Sequence, residues 1–448
     1  MELSAVILAA GQGTRMKSSL PKVLHPLLGK PMAWYVLQAA RQVVISTPVM
    51  VIGYGAEQVR RAMGAQAEYV LQEPQLGTGH AVLQAEPVLY GKSELVLVTY
   101  ADMPLITADT FRSLVSLAQS HDGPITMLTV TSTETRGFGR ILRDAEGKVS
   151  AIIEEAQATP EQLRISELNP GVYCFRAGWL WEALKRIPLS PRGEYYLTDL
   201  VGMAVAEGYT IQSINVPDPD EVIGINTRVH LAQAGALLQQ RINRQWMLAG
   251  VSMVDPANTY IEPGVTLGAD TTLWPGTYLC GDTHIGSGCV IGPNTIIQDT
   301  QVGDHCTLLA SVLEGALVED HVEIGPYSHL RKGAHLSHGV HMGNFGEVKN
   351  STLGPGAKMG HFSYLGDTTV GAEANIGAGT ITCNFDGAQK HHTEIGEGAF
   401  IGSDTMLVAP VKVGEGARTG AGAVVTRDIP PHTLAVGVPA RVVRELKK

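Results

Sequence analysis

Aliphatic residues recur every six positions through the second half of the chain. From Ile261 the series runs Leu267, Leu273, Leu279, Ile285, Ile291, Ile297. After a slip it resumes as Val318, Ile324, Leu330, Leu336, Met342, Val348, and after another it returns as Ile395, Ile401, Leu407, Val413. Gly often follows the aliphatic residue, as in Ile285-Gly286 and Ile324-Gly325, and Asn, Asp and Gly crowd the other places. This period fits neither a helix nor simple strand alternation. It predicts short strands joined by sharp corners, with the aliphatic residue inside and small or flexible residues at the bends. Three units make one turn of a triangular coil, and each turn bonds only to its neighbours. The prediction is a parallel β-helix whose handedness does not follow from the pattern. The slips are expected where a loop leaves the coil. The largest spans residues 377–394, GAGTITCNFDGAQKHHTE. A long loop on a regular solenoid usually carries function.

The first half reads differently. Apolar runs Ala5–Ala10, Val49–Tyr54, Leu95–Tyr100 and Ile125–Val130 alternate with helical stretches, which predicts an α/β, Rossmann-like domain with a mainly parallel sheet over residues 1–226. Residues 227–250 carry Val229, Ala232, Ala236, Leu237, Gln240 and Ile242 at roughly helical spacing, so a helical linker is expected before a coil domain at 251–448.

Composition narrows this picture. The chain has 51 glycines and an aromatic content of only 6%; a coil explains both, because its corners favour glycine and a narrow prism has little room for rings. A net charge of −10 argues against nucleic acid as the main partner, since phosphate-backbone binding needs a basic field. No apolar run has the length of a membrane span, and the start, MELSAVILAAG, reads as a buried strand rather than a secretory signal. Cys174, Cys280, Cys289, Cys306 and Cys383 form no CxxC pair, so neither a disulfide framework nor a zinc site is suggested and a reducing cytoplasm fits. His335, His338 and His341 are evenly spaced, but nearby carboxylates are few, which disfavours a metal site.

The first strand runs into Leu8-Ala9-Ala10-Gly11-Gln12-Gly13-Thr14-Arg15-Met16. Glycines after a strand let backbone N–H groups approach phosphate oxygens. Arg15, and Lys22 in the following LPKVLH, put fixed positive charge beside them. This form, LAAGxGTRM followed by PKxLxP, resembles the sugar-nucleotide pyrophosphorylases. Further stretches narrow the match: LQEPQLGTGHA with Gln72, Gly77 and Thr78; Tyr100-Ala101-Asp102 at a strand end; GFGRI with Gly139; IIEE with Glu154; ELNPGVY with Asn169; and GIN with Asn226. Together with the coil, the chain resembles the bacterial bifunctional N-acetylglucosamine-1-phosphate uridyltransferase and glucosamine-1-phosphate acetyltransferase family. That resemblance implies a left-handed coil that associates in threes about its axis.

For the first half the resemblance implies transfer of a uridylyl group from UTP to N-acetylglucosamine 1-phosphate, by alignment and charge neutralisation rather than by an enzyme nucleophile. Asp102 and Asn226 would hold Mg²⁺, a hard cation suited to oxygen ligands. Taken on position alone, Asp102 could equally cap a turn. Arg15 and Lys22 would neutralise the triphosphate. Leu8, Ala9, Gly11, Gln72, Gly77 and Thr78 would hold uracil and ribose, and Gly139, Glu154, Asn169 and Asn226 the sugar side. Gln12 stands where the family often carries Lys, and Ala101 where it usually carries Gly.

In the coil, Arg331, Lys349 and His361 fall within two turns of one another, and two cations beside a His suit a phosphorylated sugar. Acetyl transfer from acetyl-CoA needs a base for the attacking amine, and His is best tuned for that near neutral pH. The resemblance assigns this to His361. Arg331 and Lys349 would bind the phosphate of glucosamine 1-phosphate, with Tyr364, Asn375 and Asn384 around its sugar and Glu347 orienting the amine or His361. The cofactor thioester would lie along Ala378, Asn384, Phe385, Ser403 and Ala421. Phe385 stands where the family usually has Tyr. The chain ends at Lys448, soon after VGVPARVVREL, which is shorter than some relatives and leaves the expected acetyl-CoA cover reduced.

Three functions compete: a bifunctional enzyme making UDP-N-acetylglucosamine for the cell wall, a single-activity nucleotidyltransferase with a structural or regulatory coil, and a non-catalytic scaffold. Arg331, Lys349 and His361 favour the first over the second, because a purely structural coil has no need of them. Arg15, Lys22 and Asp102 argue against the third.

Overall fold

The computed structural model describes residues 2–446, so the chain end at Lys448 lies outside the described residues. The chain divides into two compact units, Met1–Leu238 and Gln239–Lys448.

The first unit is built on a ten-stranded sheet. Strand Leu3–Ala9 lies between Val49–Ile52 and Leu95–Tyr100 and is parallel to both. Glu68–Leu71 continues the parallel half outside Val49–Ile52. Alternate residues of Leu3–Ala9 feed two cores: Ala5, Ile7 and Ala9 enter one, Val6 and Leu8 the other. Burial on both faces is why this strand is an unbroken apolar run instead of an alternating one. Past Leu95–Tyr100 the sheet is mostly antiparallel, except that Gln212–Asn215 runs parallel to Ile125–Thr131. Tyr173–Arg176 pairs antiparallel with both Leu95–Tyr100 and Ile125–Thr131, and Glu167–Asn169, Gly139–Arg143 and Val149–Ile153 follow. The sheet is therefore mixed. Connection length explains the change: helices link the first strands, as parallel pairing requires, whereas a tight turn links Gly139–Arg143 to Val149–Ile153. In that turn Asp144 Oδ1 accepts from the amides of Glu146 and Lys148.

Helix Arg228–Leu248 contains the boundary between the units. Its buried positions are Ala234, Leu238, Gln239 and Asn243, while Val229 is exposed and so are Ala232, Ala236 and Gln240. The apolar spacing points elsewhere because polar groups anchor this helix. The Gln239 and Asn243 amides donate to the carbonyl of Thr259 at 2.8 and 2.9 Å, an interaction a hydrophobic period does not register.

The second unit is a parallel β-helix of three sheets, with twelve, ten and nine strands. Successive coils stack in register: Leu279 on Ile297, Ile285 on Val302, Leu273 on Ile291. The inward residues form one continuous core, and each fully buried aliphatic contributes about 1.5–3 kcal/mol. The last strand, Arg441–Glu445, is antiparallel to Thr433–Val436. Most phase slips are not excursions. The inward ladder runs Ile297, Val302, Leu308, Leu313, Val318, all buried, so a corner simply loses a residue. Asp299, Gly315, Asn350 and Asp367 make such corners with φ of 47°, 57°, 45° and 50°, a left-handed conformation that Asp, Asn and Gly tolerate. Residues 384–392 leave the coil, in a small hairpin closed by a Phe385–Lys390 bridge. All five cysteines are free.

Candidate active sites

The loop after Leu3–Ala9 opens the first site. Gly13 has φ 69°, and a Cβ there would stand 2.5 Å from Lys22 Cβ, so glycine lets the Lys22 stem cross the loop. One cavity is lined by Leu8, Ala9, Gly11, Lys22, Gln72, Gly77, Thr78 and Asp102. A second is lined by Gly139, Glu154, Asn169 and Asn226, again with Thr78 and Asp102. Thr78, Tyr100, Asp102 and Tyr196 belong to both walls, so the two spaces meet beside the Asp102 carboxylate. Lys22 Nζ donates to Asp102 Oδ2 and, at 3.0 Å, to Asn226 Oδ1. Arg15 lies at the edge, donating to Asn226 Oδ1 at 2.9 Å. Asp102 is held in place by its own carbonyl, which accepts from Ile225 N at 2.9 Å.

The remaining walls are equally built. Gln72 is buried and donates to the Gly77 carbonyl at 2.9 Å. Thr78 Oγ1 accepts from Leu197 N. Glu154 accepts from Thr198 Oγ1 at 2.9 Å. Burial raises its pKa, and the Thr198 bond only partly offsets this. Asn169 serves the fold as well as the cavity: its amide donates to Tyr173 and its oxygen accepts from Gly171 N. One amide hydrogen remains for a ligand.

In the coil, Glu347 and Lys349 flank inward Val348 on strand Gly346–Lys349 and face outward; their partners on the next coil are Tyr364 and Gly366. Arg331 Nη1 pairs with Glu347 Oε1 at 2.9 Å. The cations Arg331 and then Lys390 hold the Lys349 pKa below its ordinary value. His361 is exposed at the corner before strand Ser363–Gly366. This corner stacks through the unit: Gly379 N donates to Phe362 O at 2.7 Å, Asp404 N to Ala378 O at 2.6 Å, and Gly422 N to Ser403 O at 2.8 Å. His361, Ala378, Ser403 and Ala421 thus occupy successive floors of one edge. Arg331, Glu347, Lys349 and Tyr364 form a second group on the adjoining face, Tyr364 and Glu347 near the start of the strand that follows His361 and Lys349 and Arg331 toward its far end. Asn375 lies on the sheet across that edge, three residues before Ala378; its strand pairs with Lys358–Met359 and Phe400–Ile401. Asn384 is buried and donates to Asp367 Oδ2 at 2.5 Å. Phe385 is 60% exposed beside it. The three evenly spaced histidines do not converge: His335 pairs with Glu319 and His341 with Glu323. Among the described residues no group of three or more His, Cys, Asp or Glu is arranged to hold a metal, and no helix is long and apolar enough to cross a membrane.

Residues 5–195 match the MobA-like NTP transferase domain family. Residues 392–427 match the bacterial transferase hexapeptide family, and 283–312 the hexapeptide repeat of succinyl-transferase. Bifunctional protein GlmU of Trichlorobacter lovleyi is 47% identical over 97% of this chain and 95% of its own length. Proteins of the same name from an Exiguobacterium species and a Geobacillus species are 44% and 45% identical, covering 97% and 98% of this chain and 97% and 96% of their own lengths. The chain belongs to the GlmU family. It is a bifunctional transferase with a nucleotidyltransferase unit and a hexapeptide-repeat unit.

Within this GlmU family member, the sequence reading did not pick out several wall residues. Tyr100 and Tyr196 line both cavities, Phe138 and Thr198 the second, and Gln75 and Glu194 the first. Tyr100 is half-buried between the two cavities, and desolvation holds its hydroxyl well above the usual tyrosine pKa. Its position beside Asp102 in the same short motif was a usable signal. Tyr196 and Thr198 had none, because no nearby glycine pattern marks them. Gln75 Nε2 donates to the Ala10 carbonyl at 2.5 Å, tying the GTG segment to the first loop.

Proposed function

We propose that this chain makes UDP-N-acetylglucosamine in two steps, acetyl transfer in the coil unit and uridylyl transfer in the first unit. The observation that carries the second step is the meeting of two cavities at Asp102, with Lys22 bonded to both Asp102 and Asn226. Both oxygens accept from the Lys22 ammonium, and Asn226 Oδ1 also from Arg15, so this oxygen pair is already set around positive charge and fits a hard cation. Asp102 and Asn226 would hold Mg²⁺, which would supply charge neutralisation to phosphate oxygens. Arg15 and Lys22 neutralise the triphosphate. Leu8, Ala9, Gly11, Gln72, Gly77 and Thr78 fix the uridine half. Gly139, Glu154 and Asn169 fix the sugar. A phosphate oxygen of N-acetylglucosamine 1-phosphate then attacks the α-phosphorus of UTP, and the α–β bond breaks to release pyrophosphate.

In the coil, Arg331 and Lys349 bind the phosphate of glucosamine 1-phosphate. Tyr364, Asn375 and Glu347 position the sugar. Acetyl-CoA lies along the edge of Ala378, Ser403 and Ala421, reaching Asn384 and Phe385. The amine attacks the thioester carbonyl as His361 takes its proton; the C–S bond breaks and the thiol leaves. Exposed Tyr278, Ile296, Tyr327 and Phe345 support burial of coil faces in a homotrimer, and the five free cysteines fit a reducing cytoplasm. The test is separability. His361→Ala should abolish thiol release from acetyl-CoA and spare pyrophosphate release, and Asp102→Ala should do the reverse. Loss of both activities in either variant would refute two independent sites.

A further inference from the structure

Asp367 lies at the base of the 384–392 hairpin that leaves the coil and holds it at both ends. Its carbonyl accepts from Thr393 N at 3.2 Å, where the chain returns. Its Oδ2 accepts from the Asn384 amide at 2.5 Å, where the chain leaves. Its Oδ1 accepts from the Asn350 amide at 2.6 Å, one coil earlier, and its own N–H donates to the Lys349 carbonyl at 3.1 Å. Its φ of 50° aims the side chain along the stack. The opposing amides, with Lys390 and Lys349 nearby, outweigh partial burial and keep the carboxylate ionised to lower pH than usual. A charged acceptor makes these bonds stronger than neutral ones.

The consequence falls on Asn384. With its NH₂ committed to Asp367, the Asn384 oxygen has no protein partner among the described contacts. An acceptor of this kind suits an N–H donor, such as the attacking amine or the pantetheine amide.

We propose that Asp367 is a positioning residue for acetyl transfer: it anchors the 384–393 hairpin and fixes the Asn384 amide with its oxygen toward the reactants. This rests on the acetyltransferase reading above.

The test uses Asp367→Asn in the full chain. Asn tolerates the same left-handed φ, and its neutral amide cannot accept from both neighbours. The kcat for thiol release should fall about tenfold or more, as for loss of a charge-assisted bond. KM for glucosamine 1-phosphate should stay level or fall, because an anion beside Lys349 has been removed. Pyrophosphate release should be unchanged. In an Asn384→Ala background Asp367→Asn should add less than about twofold, because both changes remove the same interaction. Multiplicative losses, a kcat within twofold of wild type, or a raised KM at unchanged kcat would each overturn the proposal. If wild type releases no thiol, the acetyltransferase reading itself fails and takes this inference with it.

Discussion

Gly77→Ala tests whether the first site depends on the backbone packing seen in the structure. Gly77 has φ 97° and ψ 179°, a region essentially restricted to glycine, where an added Cβ costs on the order of 1–3 kcal/mol. That Cβ would stand 2.7 Å from the Tyr195 carbonyl oxygen and 2.8 Å from its nitrogen. Neither atom can swing aside, because Gly79 N donates to Tyr195 O and Tyr195 N donates to Leu76 O, both at 2.8 Å. The two segments must therefore part by roughly 0.5–1 Å, an overpacking cost of about 1–3 kcal/mol. The sum of about 2–6 kcal/mol is within the stability of an ordinary domain, so the unit should still fold. The displaced segments carry Thr78 on one side and Glu194 and Tyr196 on the other, all cavity walls. A misplacement near 1 Å costs about 100-fold in rate. Pyrophosphate release from UTP and N-acetylglucosamine 1-phosphate should fall by that order, with a lower melting temperature and unchanged thiol release. Pyrophosphate release within threefold of wild type would show that this packing does not set the site.

Two further outcomes follow from burial. Glu154 has a raised pKa, so the stability it confers is full below its unfolded value and is lost as pH rises through the folded one; Glu154→Gln should raise the melting temperature at about pH 7, converge on wild type in acid, and lose sugar-phosphate affinity, as read by thermal melts across pH and KM. Leu330 is 0% exposed between Leu313 and Val348, and Leu330→Ala should cost about 2–5 kcal/mol in urea unfolding.

Much of this was legible because the periodic residue is also the buried residue. Ile261, Leu279 and Ile297 were readable as one ladder and stand in one sheet. The Gly-rich turn with Arg15 and Lys22 was legible because its neighbours in sequence are its neighbours in the site. Tyr196 and Thr198 were not, since they come from a segment without a motif. The corners at Asp299, Asn350 and Asp367 read as phase slips because losing one residue and inserting a loop disturb a period alike. The helix face at Gln239 and Asn243 was hidden because hydrogen bonds to Thr259, not apolar contacts, select it.

The central claim is two activities on one chain. Purified protein given glucosamine 1-phosphate, acetyl-CoA, UTP and Mg²⁺ should release free thiol and pyrophosphate in equal final amounts, with pyrophosphate lagging behind thiol and absent when acetyl-CoA is withheld. Pyrophosphate without thiol, or thiol that is never followed by pyrophosphate, would contradict the account.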